Sequence, residues 1–479
     1  VSFFLTKVLD ALDDGGDRPL FIQDSVTTYH QARDRLRRLH AGLGGTGVVA
    51  VDLRNRPETV LVQLAALLRG ATVLLVPASA PDGQRYPGVT TVVTDRPHHW
   101  PGEDVRTLDD LDGEPEPLDP PDAVRLLFPT GGTTGTPKLI RHSGIYDGMA
   151  HIFAPSPDGP GRTLLVAPMT HMTGNATVLG ALLRRDTVVV HDGFDAGAVL
   201  AAIQEHQIDT LSLTPPRLAA VLDHPARART DLSSVRSLSL GAAPLPPHRL
   251  AQALDVFGPV VGQGYGLTEA PMIASISAAE LIDRPERLGS VGRVVPGMEA
   301  RLTADGEVEV RGLSMMDGYL DGPDVGAGWL RTGDLGRFDD EGYLYLLDRA
   351  DDVVVVGEHG TKVPTTVVEH AIAAHPAIAA AAVFGVPGPD GQLLHAVVVA
   401  TGPVTAEDVR ARARAAFGRE HYVPAAVDFV GALPLTEVGK VDKRALVQLV
   451  TAPSDDDLTS LTYLPSTPSG NLFGNGSQP

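Results

Sequence analysis

Phe128-Pro129-Thr130-Gly131-Gly132-Thr133-Thr134-Gly135-Thr136-Pro137-Lys138 packs three glycines, four threonines and one lysine into a short loop. It continues the apolar run Val124-Arg125-Leu126-Leu127-Phe128, which reads as a strand. Glycines let a backbone turn its N–H groups toward one point. The threonine hydroxyls add donors and Lys138 adds positive charge, so the loop suits a polyphosphate. It is not a standard P-loop, in which lysine follows the last glycine directly and serine or threonine comes next. Here Thr136 and Pro137 separate Gly135 from Lys138, and Leu139 follows. A kinase-like or GTPase-like reading therefore fails at the residue level. An ordinary surface loop is the alternative that the rest of the chain has to decide against.

Outward from this loop, short β-branched runs alternate with helical patterns. Residues 48–53 read as a buried strand, 58–69 as a helix with Leu61, Leu64, Ala65 and Leu68 on one face, and 71–76 as a strand again. The alternation recurs at 187–191 then 196–204, 210–213 then 217–222, and 235–240 then 247–257. It predicts an α/β fold: a large N-terminal domain of parallel-rich sheets covered by helices. Ligands in such sheets sit at the carboxyl ends of strands. The loop after Phe128 and the turn Gly241-Ala242-Ala243-Pro244 both lie at such ends. After Arg301 the pattern becomes hairpin-like, predicting a β-rich subdomain, and Asp348-Arg349-Ala350-Asp351-Asp352 interrupts two apolar runs. The expected organisation is a domain over 1–347, a hinge at 348–352, a small mobile α+β C-terminal domain over 353–450, and a disordered tail over 451–479. That tail is rich in Ser, Thr, Pro, Gly, Asn and Asp and has no period. Gly42-Leu43-Gly44-Gly45-Thr46-Gly47 satisfies G-x-G-x-x-G, yet it follows a helical pattern and precedes a strand, the reverse of a dinucleotide fingerprint. It reads as a helix C-cap and turn.

Composition narrows the function classes. A chain of 479 residues, 43% hydrophobic, suggests two or three globular domains. The formal charge is 39 − 59 = −20, which disfavours nucleic acid or an anionic membrane as partner. The chain contains no cysteine, so disulfides, thiolate metal sites and a cysteine nucleophile are excluded. The start Val1-Ser2-Phe3-Phe4-Leu5-Thr6-Lys7 does not read as a signal peptide, and no run approaches a membrane span, so a cytoplasmic enzyme is expected.

The segment TGGTTGTPK resembles the phosphate loop of the adenylate-forming superfamily, which includes acyl-CoA synthetases, aryl-acid ligases and peptide-synthetase adenylation domains. Further segments are similar to that family in the right order: Pro168-Met169-Thr170-His171, Gly264-Tyr265-Gly266-Leu267-Thr268-Glu269, Trp329 to Asp334, Asp348 to Asp352, and Pro434 to Asp442. The resemblance spans nearly the whole chain apart from the tail. It implies attack of a small carboxylic acid on the α-phosphorus of ATP, giving an acyl-adenylate and pyrophosphate. A protein lowers that barrier by positioning the two anions and placing positive charge between them.

Residue by residue, the resemblance implies that Thr130, Gly131, Gly132, Thr133, Thr134, Gly135 and Lys138 hold the β- and γ-phosphates. Gly131 stands where the family usually has Ser. Gly241, Ala242, Ala243 and Pro244 would wall the adenine edge, and Tyr265, flanked by Gly264 and Gly266, would stack on it. Thr268 would donate to the α-phosphate and Glu269 would help hold Mg²⁺. Asp334 would accept both ribose hydroxyls with Arg349 in support, and Asp351 would be the pivot. Lys440 would be the catalytic lysine bridging carboxylate and α-phosphate, delivered by domain alternation. His171 would gate the path between the acid and the thiol. The absence of an Asp near His171 favours an acid without an α-amino group. The resemblance implies transfer to the thiol of CoA; because the run from Gly357 to Glu369 departs from the family, a carrier-protein phosphopantetheine or an amine stands as the alternative acceptor, and a non-catalytic nucleotide-binding homologue as the alternative class.

Overall fold

The computed structural model describes residues 1–130, 137–282, 284–357, 360–389 and 391–451. Contacts divide the chain into two compact units: Val1–Asp351 together with Thr436–Lys440, and Asp352–Leu435 together with the residues from Val441 onward. Of the expected tail at 451–479, Thr451 ends the helix Lys443–Thr451, and residues 452–479 lie outside the described residues. The unit boundary corrects the expected hinge in one respect. Asp348 and Arg349 are not linker but the end of the strand Leu344–Arg349, paired to Leu330–Phe338.

In the large unit, two sheets carry the predicted parallel cores. One runs, in spatial order, from Arg293–Val294 through Ala274–Ile276, Val261–Tyr265, Ser237–Leu240, Thr210–Leu213, Arg162–Leu165, Thr187–Val190 and Pro19–Ile22 to Val26–Thr28. The other runs from Gly318–Tyr319 through Lys138–His142, Arg125–Thr130, Thr72–Leu75, Val48–Asp52 and Val89–Thr94 to Val105–Arg106. The inner pairs are parallel and antiparallel strands sit toward the edges.

The helix Pro57–Leu68 departs from its expected single apolar face: every residue from Thr59 to Leu68 is buried. It is wedged between both sheets, in one core with Val51, Val73 and Phe128 of one and Leu165, Val188 and Val190 of the other. A helix enclosed on all sides is apolar all round. Its polar Gln63 survives there because Asn175, on the helix Met172–Arg184, exchanges two amide hydrogen bonds with it at 2.6 and 3.3 Å. The helix Tyr29–Leu43 ends at Gly44, whose φ of 73° favours glycine, and the next strand starts at Val48, as the C-cap reading of that glycine-rich stretch requires.

A four-stranded antiparallel sheet, Met298–Leu302, Glu307–Gly312, Leu330–Phe338 and Leu344–Arg349, forms the β-rich part. In the small unit, helix Thr365–Ala373 covers a sheet ordered Thr361–Val363, Val354–Val356, Gly391–Ala400, Ile378–Gly388, with Ala426–Val430 also paired to Gly391–Ala400. Lys443 Nζ reaches Glu369 Oε1 at 2.8 Å, tying the last described helix to Thr365–Ala373. Within the described residues the fold is mixed α/β with a larger and a smaller unit, as the alternation predicts.

Candidate active site

Gly131, Gly132, Thr133, Thr134 and Gly135 lie outside the described residues. Of the phosphate loop, Thr130 and Lys138 are seen, and they are direct partners in the antiparallel ladder. From Lys138 a chain of contacts leads to the Thr268–Glu269 segment. The Lys138 ammonium sits 5.2 Å from the centroid of the Tyr319 ring, a cation–π distance. Tyr319 Oη donates to Glu269 Oε1 at 3.2 Å. Burial, then the Glu269 charge, pushes the Tyr319 phenol up to about 12, so it stays a donor. The Met316 N–H donates to the Glu269 carbonyl at 2.7 Å.

His142 joins the same group through Thr268. Its Nε2 lies 2.6 Å from the Thr268 carbonyl oxygen, which can only accept, so Nε2 carries the proton. His142 is 1% exposed, and burial lowers its pKa, which keeps the ring neutral. Its Nδ1 is buried and has no hydrogen-bond partner among the described residues.

A second group forms where adjacent strands end. Leu240 pairs with Gln263, so the Gly241–Pro244 turn and the Gly264–Glu269 segment emerge side by side. A Cβ on Gly241 would stand 2.8 Å from the Gly264 carbonyl oxygen, and one on Gly266 2.2 Å from the Pro271 carbonyl oxygen. Ala242 holds a left-handed φ of 68°, a strained setting for a residue with a side chain. Tyr265 lies in an apolar cluster with Ala270, Ile273 and Val308, and its hydroxyl donates to Asp334 Oδ2 at 2.5 Å. Burial, then Asp334, raises its pKa. Asp334 sits directly across from Arg349 in the ladder, and Arg349 Nη1 donates to Asp334 Oδ1 at 2.9 Å. Burial raises the Asp334 pKa against the pull of Arg349.

Lys440 belongs to the turn Thr436–Lys440, which groups with the large unit rather than with the expected C-terminal domain. The reason is a set of bonds to that unit. Thr214 Oγ1 donates to the Gly439 carbonyl at 3.0 Å, and Arg217 Nη2 to the Glu437 carbonyl at 2.8 Å. The turn closes on itself through Gly439 N–H to Thr436 O at 2.8 Å. Lys440 keeps solvent contact, yet desolvation and then the Arg349 charge lower its pKa, while Asp334 and Glu269 oppose that shift. The lysine therefore stands in the field of both carboxylates that the two groups above contribute.

His171 caps the start of helix Met172–Arg184 without using its side chain there. Buried Asn55 fixes the preceding turn, accepting from the Met169 N–H at 2.8 Å and donating to the Ala167 carbonyl at 2.9 Å. The His171 Nε2 meets the Glu437 carboxylate.

Three residues at the site escape the sequence reading: His142, Tyr319 and Glu437. Glu437 lies inside the quoted run around Lys440, where the lysine drew the attention. Tyr319 follows Gly318 in a stretch without period. His142 is one of several alternating strand residues, and nothing local marks it.

A family model described as AMP-binding enzyme matches residues 79–320, and one described as AMP-binding enzyme C-terminal domain matches 367–440. The medium/long-chain-fatty-acid–CoA ligase FadD8 of Mycobacterium tuberculosis is 32% identical over an alignment 498 positions long, gaps included, covering 89% of this chain and 86% of the relative. The solved amide bond synthetase McbA of Marinactinospora thermotolerans has a TM-score of 0.81 and 29% identity, covering 94% of this chain and 100% of that one. The o-succinylbenzoate CoA synthetase MenE of Bacillus subtilis, solved with its acyl-adenylate, has a TM-score of 0.79 and 25% identity, covering 92% and 97%. The same enzyme is also solved with ATP and magnesium ion, at a TM-score of 0.76 and 26% identity, covering 91% and 98%. The chain belongs to the AMP-binding enzymes, the adenylate-forming superfamily, on its acid–CoA ligase branch.

Proposed function

We propose that the protein activates a small carboxylic acid with ATP, releasing pyrophosphate, and passes the acyl group from the acyl-adenylate to a thiol, that of CoA. The observation that carries this reading is that the turn bearing Lys440 is seated by Thr214 and Arg217 on the same unit that holds Glu269 and Asp334, the residues expected on the phosphate and ribose sides. The acid's carboxylate attacks the α-phosphorus and the bond to pyrophosphate breaks. Lys440, a compact charge on a long stem, bridges the two anions. Thr268 donates to the α-phosphate. Tyr265 and the Gly241–Pro244 turn bound the adenine, and Asp334 receives the ribose hydroxyls while Arg349 holds it.

The Glu269 carboxylate fits Mg²⁺: Tyr319 occupies one lone pair of Oε1, and a carboxylate has about four such sites. Mg²⁺ bound there supplies charge neutralisation along the phosphates.

A second acceptor is supported by two observations. The chain aligns along its length with an amide bond synthetase, and the 357–369 stretch expected near the thiol departs from the family. Its helix Thr365–Ala373 has no acidic residue in its first turn, and residues 358 and 359 lie outside the described residues. An amine acceptor, or a carrier-protein phosphopantetheine, would use the same adenylate. Asp351, at the end of the large unit, would serve as the pivot in either case.

The test is ATP–pyrophosphate exchange against aliphatic, benzoic and cinnamic acids, followed by mass spectrometry of products formed with CoA, with a phosphopantetheinylated carrier protein, and with simple amines. Exchange driven by an acid and an acyl-CoA product support the main reading. Absence of exchange with every acid would refute it.

A further inference from the structure

The turn that carries Lys440 contains one charged residue besides the lysine, Glu437. Its side chain points into the large unit and is 19% exposed. One carboxylate oxygen meets His171 Nε2, and the other accepts the backbone N–H of Ser79. Burial alone would raise the Glu437 pKa. The hydrogen bond and charge of His171, then Ser79, outweigh it, and the net shift is downward. The carboxylate is thus held as an anion by two donors from separate segments: Ser79 beyond the strand Thr72–Leu75, and His171 at the start of the helix Met172–Arg184.

The remaining bonds from the turn to the large unit, among the described residues, are backbone acceptances. Arg217 and Thr214 donate to the carbonyls of Glu437 and Gly439. Those two bonds fix the turn's path but accept any side chain at position 437. The Glu437 carboxylate adds the sequence-specific fastening, three residues before the lysine.

We infer that Glu437 is a positioning residue for Lys440: by binding His171 and the Ser79 amide it seats the turn Thr436–Lys440, and it holds His171 for as long as the lysine is seated. This rests on the adenylation role proposed for Lys440. Both ends of the turn run into the small unit, so any departure of the turn releases His171 in the same movement. Delivery of the lysine and restraint of the residue expected to gate the thiol path are then one event, coupled through a single carboxylate.

The experiment uses full-length Glu437→Ala and Glu437→Gln, with the wild type and His171→Ala alongside. Amide hydrogen exchange read by mass spectrometry reports the turn and Ser79 without any need for turnover. In Glu437→Ala the peptides holding Ser79 and 436–440 exchange at least tenfold faster than wild type, and Glu437→Gln, which keeps an acceptor, restores part of the protection. With benzoate, octanoate and 4-hydroxycinnamate as probes, kcat for pyrophosphate exchange falls at least tenfold in Glu437→Ala while KM for ATP stays within twofold. Thioester formation from supplied benzoyl-adenylate and CoA is retained, since it does not need the lysine seated.

Unchanged exchange at both peptides in Glu437→Ala overturns the inference. So does an equal loss in both half-reactions, which marks a structural role. If the wild type itself shows no pyrophosphate exchange, the proposed function falls, and the hydrogen-exchange comparison still decides whether Glu437 seats the turn.

Discussion

Tyr265 donates its phenolic proton to Asp334 at 2.5 Å, on the carboxylate oxygen that Arg349 does not use. The ring is 7% exposed and so is Asp334, so this bond is made where water competes poorly. It aims the carboxylate at a fixed angle while leaving lone pairs for a ligand. Tyr265→Phe keeps the ring and removes the donor. Loss of one partner from a buried acceptor costs about 1–3 kcal/mol. Because Arg349 remains, the lower end applies, and affinity for AMP and ATP should fall roughly five- to tenfold by calorimetry. An unchanged affinity would mean that Asp334 does not contact the nucleotide.

Lys440 should act through its charge. Lys440→Ala is expected to abolish adenylation while ATP binding largely survives, checked by single-turnover acyl-adenylate formation beside calorimetry. Desolvation of the ammonium by the groups around it, then the Arg349 charge, lower the Lys440 pKa, so its positive charge is lost at a lower pH than for a free lysine. The adenylation rate should therefore decline on the alkaline side below the usual lysine range. Lys440→Arg, which stays charged, should lower the rate and move that limb upward. A limb that does not move assigns the titration to another group.

His142 links pH to stability. Its folded pKa lies below the ordinary 6.5 because burial disfavours the cation. The unfolded chain then takes up the proton first. Stability from this residue is whole above about 6.5 and drains as pH falls toward the folded value, by at most about 1.4 kcal/mol per pH unit for one proton. His40, His191 and His248 shift in the same direction, each chiefly through burial. The melting temperature should drop between pH 7.5 and 5.5, and His142→Gln, which keeps an N–H for the Thr268 carbonyl, should narrow that drop. A drop of the same size in the variant would remove His142 from the account.

What could be read from the chain follows a physical division. Strand and helix alternation at 187–257 was legible because burial on a covered parallel sheet writes period and composition into the local sequence. The same logic misjudged the helix Pro57–Leu68, since one-sided amphipathicity is the rule for a surface helix and this one lies between two sheets. The helix Phe3–Gly15 and the strand Ala426–Val430 went unread. At the site, glycine and lysine motifs announce themselves, because ligand approach and charge demand those residue types. His142, Tyr319 and Glu437 do not: their partners lie 126, 50 and 266 residues away in the chain. Only the folded arrangement joins such pairs.

Gly439 tests whether the seat of the turn matters apart from the charge on Lys440. Its φ is 80°, and a Cβ there would meet Arg217 Nε at 2.7 Å and Thr214 Oγ1 at 2.8 Å, the two side chains that hold the turn's carbonyls. Gly439→Ala therefore adds left-handed strain, about 1–2 kcal/mol, and pushes the seat apart. Gly306 separates the two effects. Its φ is 83° and a Cβ there meets nothing within 4 Å among the described residues, so Gly306→Ala carries the strain without the collision. Both variants should lower the melting temperature by a few degrees. Gly439→Ala should also slow adenylation at least tenfold, and Gly306→Ala should leave it near wild type. Equal rates in the two variants would mean that the turn tolerates displacement, and that Lys440 reaches its substrates without this seat.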